Sequence, residues 1–407
     1  MSGIREYLAP LRGNLLVLIS SMIVWNFVLQ MVSTYEPLYV FALGGSGVAL
    51  GLLTASQTLL STFLRVPGGY IADKRGRRKI IGVVTIVSSL GYLFYVFARD
   101  WTWLLMGGFV LAVIGLSEPA VEAIKADSVR PEERGRGYAL LNTIPQIPAM
   151  LAPAVGGVLI ADGASGINLP GMRTAYLLLL AGVAVAGLIR LLFLRDMYSP
   201  EEGGGRLGLG VFRDVYETIV SSPSSTKRLL LLSGFFMFCF HMDVRVRPVF
   251  ACDFRGLSTV EWGAVVSASL LISTLAVLVI GWLVDRYGRK RVFLPSVALL
   301  ALGSLTFAVS DSFPMFLLAM VLEAVGLRGR IVAFQVLIAD TVPISVRGRV
   351  MGAINVLVSL GSSTAIMVSG LLYDVNPVLP FYASALTFSM AALAAAKFLH
   401  EPETRQI

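Results

Sequence analysis

The segment GGYIADKRGRRK, residues 68–79, separates two long apolar stretches and has a counterpart later in the chain, GWLVDRYGRKR at residues 281–291. Four residues recur unchanged 212 positions further on: Gly69 as Gly281, Asp73 as Asp285, Gly76 as Gly288 and Arg77 as Arg289. Repetition at a fixed offset indicates an internal duplication. The segment therefore predicts a chain built from two related halves.

A second pair of segments repeats at nearly the same offset. ADSVRPEERGR, residues 126–136, corresponds to ADTVPISVRGR, residues 339–349, with a shift of 213 positions. One match could arise by chance, but two matches in register support the duplication. Because both pairs fall between long apolar stretches, the simplest arrangement is a parallel repeat of a unit with six membrane spans.

The composition places the chain in a lipid bilayer. Hydrophobic residues make up 56% of the chain and charged residues 14%, and the mean hydropathy is +0.79, which is too apolar for a soluble protein of 407 residues. About 20 apolar residues cross the hydrocarbon core as a helix. Twelve stretches meet this requirement: 14–37, 48–70, 80–98, 102–124, 138–161, 172–194, 229–251, 262–284, 292–310, 314–338, 350–372 and 378–399.

These spans predict an all-α membrane protein in which twelve transmembrane helices form two pseudo-symmetric six-helix bundles. The predicted bundles comprise residues 1–194 and 229–407. Residues 195–228 form the only long polar stretch and are predicted to be a cytoplasmic linker. Within the linker, apolar residues at helical spacing predict a short helix on the membrane surface over residues 211–220.

The distribution of positive charge predicts the orientation in the membrane. Of the 33 Lys and Arg residues, only Arg99, Arg173 and Arg255 fall on one side, whereas most of the others fall in the loops and tails of the opposite side. Short loops rich in Lys and Arg stay in the cytoplasm. We therefore expect a multi-pass protein of the plasma membrane with both termini cytoplasmic. The net charge of +8 is attributed to this orientation rather than to nucleic-acid binding.

The repeated segment resembles motif A of the major facilitator superfamily, which lies between the second and third helices in that family. The resemblance rests on Gly69, Asp73, Gly76, Arg77 and Arg78. It implies two six-helix bundles that rock about a central cavity and expose one site alternately to each side of the membrane. It also implies an inner gate, whose candidate residues here are Gly69, Asp73, Gly76, Arg77 and Asp127, with Asp285, Gly288 and Arg289 in the second half.

The residue types of the motif suit the end of a membrane span. Gly69 is predicted to let a neighbouring helix approach closely, and Gly76 is predicted to form the tight turn into the next span. Asp73 must be paired or must face the N-terminus of another helix. Arg65, eight residues earlier, is a candidate for the charge relay that the family resemblance implies at this inner gate. The alternative is a loop that only anchors the topology.

The fifth span resembles, in part, motif C of drug/proton antiporters. Residues 152–157 read APAVGG, where the family has Gly-Pro-x-x-Gly-Gly, and Pro148 and Ala152 replace the family's first glycines. The resemblance implies export in exchange for protons. The alternative is a structural kink, because Pro145, Pro148 and Pro153 each remove a backbone hydrogen bond and predict a bent helix. The fourth span lacks the arginine that motif B of the same antiporters places there.

Acidic residues within the spans are the candidates for proton coupling, because a charged side chain at the bilayer centre costs about 2.5–3.5 kcal/mol. In the fourth span, Glu118 and Glu122 share one helical face and repel each other when both are ionised. The alternative for Glu122 is an ion pair with Lys125. Asp243 in the seventh span and Glu323 in the tenth complete the set.

Basic and amide side chains within the spans are the candidates for substrate binding. At least one of Arg328 and Arg330 is predicted to bind an anion or a carboxylate. A slip of one residue in the repeat alignment leaves open which of them faces the cavity. The alternative is an ion pair with Glu323. Arg247, near the outer end of the seventh span, is predicted to extend to the membrane surface. The substrate-binding candidates are Asn26, Gln30, Arg328, Arg330 and Asn355, with hydrogen bonds between helices as the alternative role of the amides.

The sequence favours a proton-coupled secondary active transporter of a small organic solute that works by alternating access as an efflux antiporter. One alternative is a proton-coupled importer of a small organic anion. Another is a non-transporting membrane receptor or enzyme, although the sequence has no Ser/His/Asp arrangement and no phosphate-binding Gly loop. We expect a monomer in the bilayer, with the solute and protons as partners and no cofactor. Two cysteines and two histidines predict neither a disulfide framework nor a metal site.

Overall fold

The computed structural model describes residues 11–130, 133–162, 164–196, 217–342 and 344–398, which are predominantly helical. The residues contact one another mainly within two compact units. The first unit comprises Met1–Gly44, Ser56–Asp162 and Ile167–Leu207, and the second comprises Gly45–Ala55, Gly163–Gly166 and Gly208–Ile407.

The part of the chain before the linker consists of helices of very different length. They are α1 (Asn14–Ser33), α2 (Glu36–Ala42), α3 (Gly47–Arg75), α4 (Arg77–Ser89), α5 (Gly91–Val96), α6 (Trp101–Leu111), α7 (Glu118–Asp127), α8 (Arg134–Thr143), α9 (Gln146–Ala149), α10 (Ala152–Leu159) and α11 (Leu169–Phe193). A 3₁₀ segment, Ala112–Leu116, joins α6 to α7. Two short strands, β1 (Ala161–Asp162) and β2 (Ala164–Ile167), pair with each other.

The part of the chain after the linker contains longer helices. They are α12 (Ser224–His241), α13 (Arg247–Val249), α14 (Thr259–Tyr287), α15 (Arg289–Val309), α16 (Phe313–Thr341), α17 (Ile344–Val375) and α18 (Leu379–Phe398). A π-helical turn, Phe250–Phe254, directly follows α13. Ser258 begins α14 with a capping box, because its hydroxyl accepts from the backbone N–H of Glu261 and the Glu261 carboxylate accepts from the backbone N–H of Ser258.

Nine helical stretches of the described residues are long and apolar enough to cross a membrane. The other three predicted spans are also helical, but each departs from a simple apolar helix. The fifth is divided into α8, α9 and α10, in agreement with the bend predicted from its prolines. The seventh ends as α12 and resumes at α13. The tenth is the continuous helix α16, which carries four charged residues, Glu323, Arg328, Arg330 and Asp340.

The predicted linker lies mostly outside the described residues. Residues 197–216 are not among them, so the surface helix predicted over residues 211–220 can be followed only from Glu217. Residues 217–221 are helical, and α12 begins shortly afterwards. The division into bundles of residues 1–194 and 229–407 stays a prediction.

The first unit has a core of aliphatic residues and a second cluster of tyrosines. Leu15 on α1 and Ile81 on α4 are fully buried. The rings of Tyr95 and Tyr176 lie 4.7 Å apart between centroids. The hydroxyl of Tyr39 donates to the backbone carbonyl of Tyr95 at 2.8 Å, which satisfies a buried polar atom inside this cluster. These contacts hold α2, α5 and α11 together.

The second unit has a core rich in phenylalanine. Phe236 on α12 meets Phe293 on α15 edge to face, with ring centroids 5.1 Å apart. Phe307 on α15 stacks on Phe381 of α18 at 5.0 Å. All four rings are completely buried. Aromatic pairs at these separations add about 0.5–1.5 kcal/mol each beyond their buried area, so they fix the packing of α15 against its neighbours.

The start of α3 is held within the second unit by a carboxylate. The backbone N–H groups of Gly47 and Val48 donate to the side chain of Asp374 on α17, at 2.6 and 2.9 Å. A carboxylate at this place satisfies free N–H groups and interacts favourably with the helix dipole. The backbones of Gly47 and Gly370 approach so closely that a Cβ atom on either would overlap the other. Sequence reasoning did not single out Asp374.

Two glycines at corresponding positions of the repeat form the same turn. Gly76 lies between α3 and α4 with a φ of 86°, and Gly288 lies between α14 and α15 with a φ of 92°. This part of conformational space is favourable only for glycine. The tight turn predicted at Gly76 is confirmed, and the duplication extends to the backbone geometry of its counterpart.

The close helix contact predicted at Gly69 lies at Gly68 instead. A Cβ atom on Gly68 would overlap the backbone of Leu116 in the 3₁₀ segment. A Cβ atom on Gly69 would meet only the Cβ of Pro119, at an ordinary 3.7 Å. The prediction for Gly69 is wrong because successive residues of a helix point about 100° apart, and only one of the two faces the 3₁₀ segment.

Gly68→Ala is expected to destabilise the protein by about 1–3 kcal/mol, because the added methyl group must displace backbone atoms. Gly69→Ala is expected to change stability by no more than about 0.5 kcal/mol, because the methyl group has room. Melting temperatures of the two purified variants check this difference. Equal shifts for both variants would contradict the assignment of the contact to Gly68.

Candidate transport site

Arg65 on α3 and Glu118 on α7 form an ion pair within the predicted membrane spans. The Nε atom of Arg65 lies 2.5 Å from Oε2 of Glu118. The side chains are 38% and 39% exposed, so the pair lies at an accessible surface of the first unit rather than in its core. The part of Arg65 in the charge relay of the gate motif stays a prediction, because the side chain of Asp73 lies outside the described part of the structure.

The packing of α3 on the 3₁₀ segment positions this ion pair. The two backbones touch at Gly68 and again at Gly115, where a Cβ atom would overlap the carbonyl of Ser61. Such contacts leave little freedom for α3 to shift along its neighbour. Pro119 follows in the first turn of α7, where its missing N–H has no intrahelical partner to lose. Glu118 is thereby held at the first position of α7, opposite Arg65.

Glu122 has a different environment from Glu118. It pairs with Lys125 three residues later, with 2.7 Å between Oε1 and Nζ. Its side chain is 67% exposed. This ion pair within one helix is the alternative to proton coupling that the sequence analysis gave for Glu122. The two carboxylates of α7 therefore differ, because one pairs across helices and the other pairs within its own helix.

Three charged residues of the second unit form a buried cluster, which we call the buried triad: Asp243, Arg247 and Glu323. Nη2 of Arg247 lies 2.5 Å from Oδ1 of Asp243, and Nη1 pairs with the carboxylate of Glu323 on α16. All three side chains are at most 6% exposed. The prediction that Arg247 extends to the membrane surface is wrong, because its guanidinium bridges two buried carboxylates.

Hydroxyl groups and an aromatic ring complete the surroundings of the buried triad. The hydroxyl of Ser304 on α15 donates to Oδ2 of Asp243 at 2.8 Å. It also lies 3.1 Å from the hydroxyl of Ser384 on α18. The guanidinium of Arg247 lies 5.7 Å from the ring centroid of Phe307. The triad thus links α15, α16 and α18 with the turn that precedes α13.

The two arginines of α16 have unlike environments. Nε of Arg328 donates to the hydroxyl of Ser273 on α14 at 2.6 Å, and the residue is half-buried. Arg330 is 3% exposed, and its guanidinium lies 5.7 Å from the ring centroid of Phe236. Neither arginine forms an ion pair with a described residue, and Glu323 pairs with Arg247 instead. Of the two, Arg328 is the one accessible to a ligand.

The amide candidates are accessible but do not form a common cluster within a unit. Asn26 and Gln30 are half-buried on α1, and Asn355 is exposed on α17. Sequence reasoning missed a buried arginine near the first two. Arg190 on α11 donates to the hydroxyl of Ser21 at 3.0 Å and lies over the ring of Trp25, the neighbour of Asn26. The signal that could have revealed it is a charged side chain within the apolar stretch of residues 175–194.

The repeated segments form corresponding ion pairs in the two units. Arg77 pairs with Asp127 in the first unit. Arg289 pairs with Asp340 in the second, at 2.8 Å. The two arginines occupy equivalent positions of one repeated segment, and the two aspartates occupy equivalent positions of the other. The duplication read from the sequence is thus also a duplication of contacts.

The remaining members of the gate motif are less informative. The side chain of Asp73 lies outside the described part of the structure, although its backbone belongs to α3. Asp285 is exposed near the end of α14. Gly76 and Gly288 form the turns, and Gly69 makes only an ordinary contact.

Membrane-spanning helices in two units, together with charged side chains inside the spans, define the class of multi-pass membrane transport proteins. The chain belongs to the Major Facilitator Superfamily, whose family profile matches residues 13–273 and 248–406. The resemblance noted in the sequence and the all-α fold class are both confirmed.

A curated relative and two solved structures extend this comparison. The multidrug resistance protein MdtH of Baumannia cicadellinicola subsp. Homalodisca coagulata is 24% identical over 344 residues, which cover 83% of this chain and 79% of that protein. A bacterial homologue of the human lysosomal transporter Spinster has a TM-score of 0.74 at 19% identity and covers 94% of this chain and 95% of its own. A single-residue mutant of the nucleoside transporter NupG has a TM-score of 0.76 at 15% identity and covers 95% of this chain and 99% of its own. All three are transport proteins and not enzymes, as expected for this chain.

Proposed function

We propose that the chain is a proton-coupled secondary active transporter that exports a small organic solute in exchange for protons. The name of the relative MdtH supports multidrug efflux as the direction and the substrate class. The partial motif C in the fifth span supports exchange for protons. We further propose that the protein works as a monomer in the plasma membrane, with both termini in the cytoplasm and two bundles that alternate access to one site.

The observation that carries this proposal is the ion pair of Arg65 and Glu118. Two charged groups inside predicted spans, each nearly 40% exposed, are costly against lipid and are expected to face an aqueous path. An ionised Glu118 attracts a cationic or hydrogen-bonding solute, whereas a proton on Glu118 removes this attraction. Solute and proton then compete for one carboxylate, and this competition is what exchange transport requires.

The buried triad has a supporting part in the proposal. Asp243 and Glu323 share the single guanidinium of Arg247, so ionisation of both carboxylates leaves one negative charge uncompensated in a buried site. We propose that the triad retains one proton for this reason. Glu122, which pairs with Lys125 near the surface, is the weakest of the four proton-coupling candidates.

The corresponding ion pairs of the two units are proposed to belong to the inner gate. Arg77 with Asp127, and Arg289 with Asp340, each tie the turn after one span to the end of another. The turns at Gly76 and Gly288 fix the direction of both arginines. Asp73, Gly69 and Asp285 are assigned to the same gate from the family motif alone.

The experiment for the transport proposal uses the purified protein in proteoliposomes with a pH-sensitive dye inside. An imposed gradient of an exported solute is expected to drive protons in the opposite direction. Candidate solutes are first selected by thermal-shift screening at two pH values. Proton movement in the same direction as the solute would replace export with proton-linked uptake, and solute movement without protons would remove the coupling.

A second candidate function is proton-coupled import of a small organic anion, and one observation favours it. Arg328 is half-buried, donates only to a serine hydroxyl and forms no ion pair with a described residue. A guanidinium in this state is well suited to bind a carboxylate, because it offers several donors in a planar fork.

Arg328→Gln is expected to raise the KM for an anionic solute by about ten-fold or more, because a hydrogen bond to a charged group contributes about 1.5–3 kcal/mol. The KM for a neutral solute is expected to stay unchanged. Uptake assays with both kinds of solute provide the measurement. Arg330→Gln is the matched control, since Arg330 is buried against Phe236 and should leave the selectivity as it is. If only Arg330→Gln changed the preference for anionic over neutral solutes, Arg330 and not Arg328 would be the anion-binding residue.

A further inference from the structure

A basic cavity lies at one end of the first unit, and of the residues assigned to transport only the gate residue Asp127 lines it. Its volume is about 520 Å³, which falls in the range of roughly 300–1,000 Å³ that is usual for small-molecule sites. It opens beside the start of α1 and the ends of α7 and α11. The charged residues that line it are Arg12, Arg130, Arg134 and Arg195, with Asp127 and Glu133.

The charges that line this basic cavity do not balance. Asp127 pairs with Arg77, which is not part of the lining, and Glu133 lies 3.7 Å from Arg12. The other three arginines form no ion pair with any residue that the structure describes. Like charges around one cavity repel each other, so an anion that enters it gains attraction and relieves this repulsion. The excess positive charge therefore points to an anionic ligand.

Polar groups of the backbone and one hydroxyl point to the same ligand chemistry. The side chain of Asn14 accepts from the backbone N–H of Arg195 and donates to its carbonyl, both at 2.8 Å, which ties the end of α11 to the start of α1. Gly13 precedes α1 and supplies no capping side chain, and Gly13 and Asn14, at the start of this helix, both line the cavity. The hydroxyl of Ser128, also in the lining, is buried and has no hydrogen-bond partner among the described residues.

We propose that this basic cavity is a binding site for a phosphate group, carried either by an anionic phospholipid headgroup or by a soluble phosphate compound. Guanidinium groups bind phosphate oxygens through paired hydrogen bonds, and helix N-termini favour the same anions. The cavity lies where the chain enters the first span, directly after Arg12. A basic pocket at this level, on the side predicted to be cytoplasmic, is within reach of headgroups of the inner leaflet. The site does not depend on the proposed direction of transport.

The test uses the full chain in nanodiscs of phosphatidylcholine, with and without phosphatidylglycerol, and in detergent with inorganic phosphate or with chloride at equal ionic strength. The variant Arg130→Gln/Arg134→Gln/Arg195→Gln removes the three guanidiniums that form no ion pair with a described residue. The matched control is Arg136→Gln, because Arg136 is exposed on α8 but does not line the cavity. Melting temperature is the readout, since a ligand that binds only the folded state raises it.

We expect phosphatidylglycerol or phosphate to raise the melting temperature of the wild-type protein and of Arg136→Gln, and we expect most of this rise to be lost in the triple variant. A rise with lipid alone assigns the site to a headgroup, whereas a rise with phosphate as well assigns it to the phosphate group itself. No rise with either probe would overturn the proposal, as would an equal rise in the wild type and the triple variant. If the triple variant fails to fold, Arg134→Gln alone is tested with whichever probe raises the melting temperature of the wild type. It is expected to raise the dissociation constant for that probe by at least about ten-fold. An unchanged dissociation constant would also overturn the proposal.

Discussion

Glu118→Gln is expected to abolish proton movement driven by a solute gradient in proteoliposomes. The substitution keeps the size of the side chain and its ability to form hydrogen bonds, but it removes the carboxylate, which is the group of this ion pair that can exchange a proton. Because the pair is nearly 40% exposed, the loss of stability is expected to be small, about 1 kcal/mol or less. Melting temperature and solute binding therefore separate a loss of coupling from a loss of folding.

Glu122→Gln is the control for this experiment. Glu122 is four residues away on the same helix, but it pairs with Lys125 and is two-thirds exposed. We expect it to retain proton movement close to that of the wild type. Unchanged proton movement in Glu118→Gln would remove Glu118 from the mechanism and leave the buried triad as the remaining candidate for coupling.

Arg247→Met is expected to destabilise the protein by about 3–5 kcal/mol, because it leaves two buried carboxylates without their shared guanidinium. Thermal unfolding followed by size-exclusion chromatography measures this effect. Arg286→Met is the control, since Arg286 is exposed at the end of α14 and lies over the rings of Trp282 and Tyr287. A similar loss of stability in both variants would show that Arg247 contributes no more to the stability of the fold than an exposed arginine does.

The triple variant Asp243→Asn/Arg247→Met/Glu323→Gln separates stability from coupling. Replacing all members of a buried ion cluster by neutral groups is often nearly neutral for stability, so most of the loss in Arg247→Met is expected to be recovered. If the triad holds a proton that takes part in transport, the stable triple variant should move solute with altered proton stoichiometry. An unchanged stoichiometry would restrict the triad to a structural role.

Much of the fold followed from patterns that are local in the sequence. The apolar stretches predicted the membrane spans. In lipid, a helix is the only single segment whose backbone N–H and C=O groups form hydrogen bonds within the segment itself. The prolines of the fifth span predicted its division into α8, α9 and α10. Gly76 predicted a tight turn, and the structure has the same turn at its repeat partner Gly288, because only glycine adopts this backbone conformation readily.

The repeat also includes contacts between helices, in addition to local backbone geometry. Arg77 and Asp127 were candidates for one charge relay, and the structure joins them in an ion pair that Arg289 and Asp340 reproduce in the second unit. Duplicated sequence preserves contacts as well as elements, since both partners of each contact were duplicated together. For this reason the sequence by itself determined the class of protein, its family, its repeated architecture and the position of the motif.

The partners of the charges within the spans were decided only by the tertiary structure. Spacing along one helix tells which residues share a face, but it carries no information on which neighbouring helix that face meets. Arg65 could not be assigned to Glu118, nor Arg247 to Glu323, without the packing of their helices. The choice between Arg328 and Arg330, and between Gly68 and Gly69, depends on a rotation of 100–200° about a helix axis, which side-chain packing sets and the chain order does not.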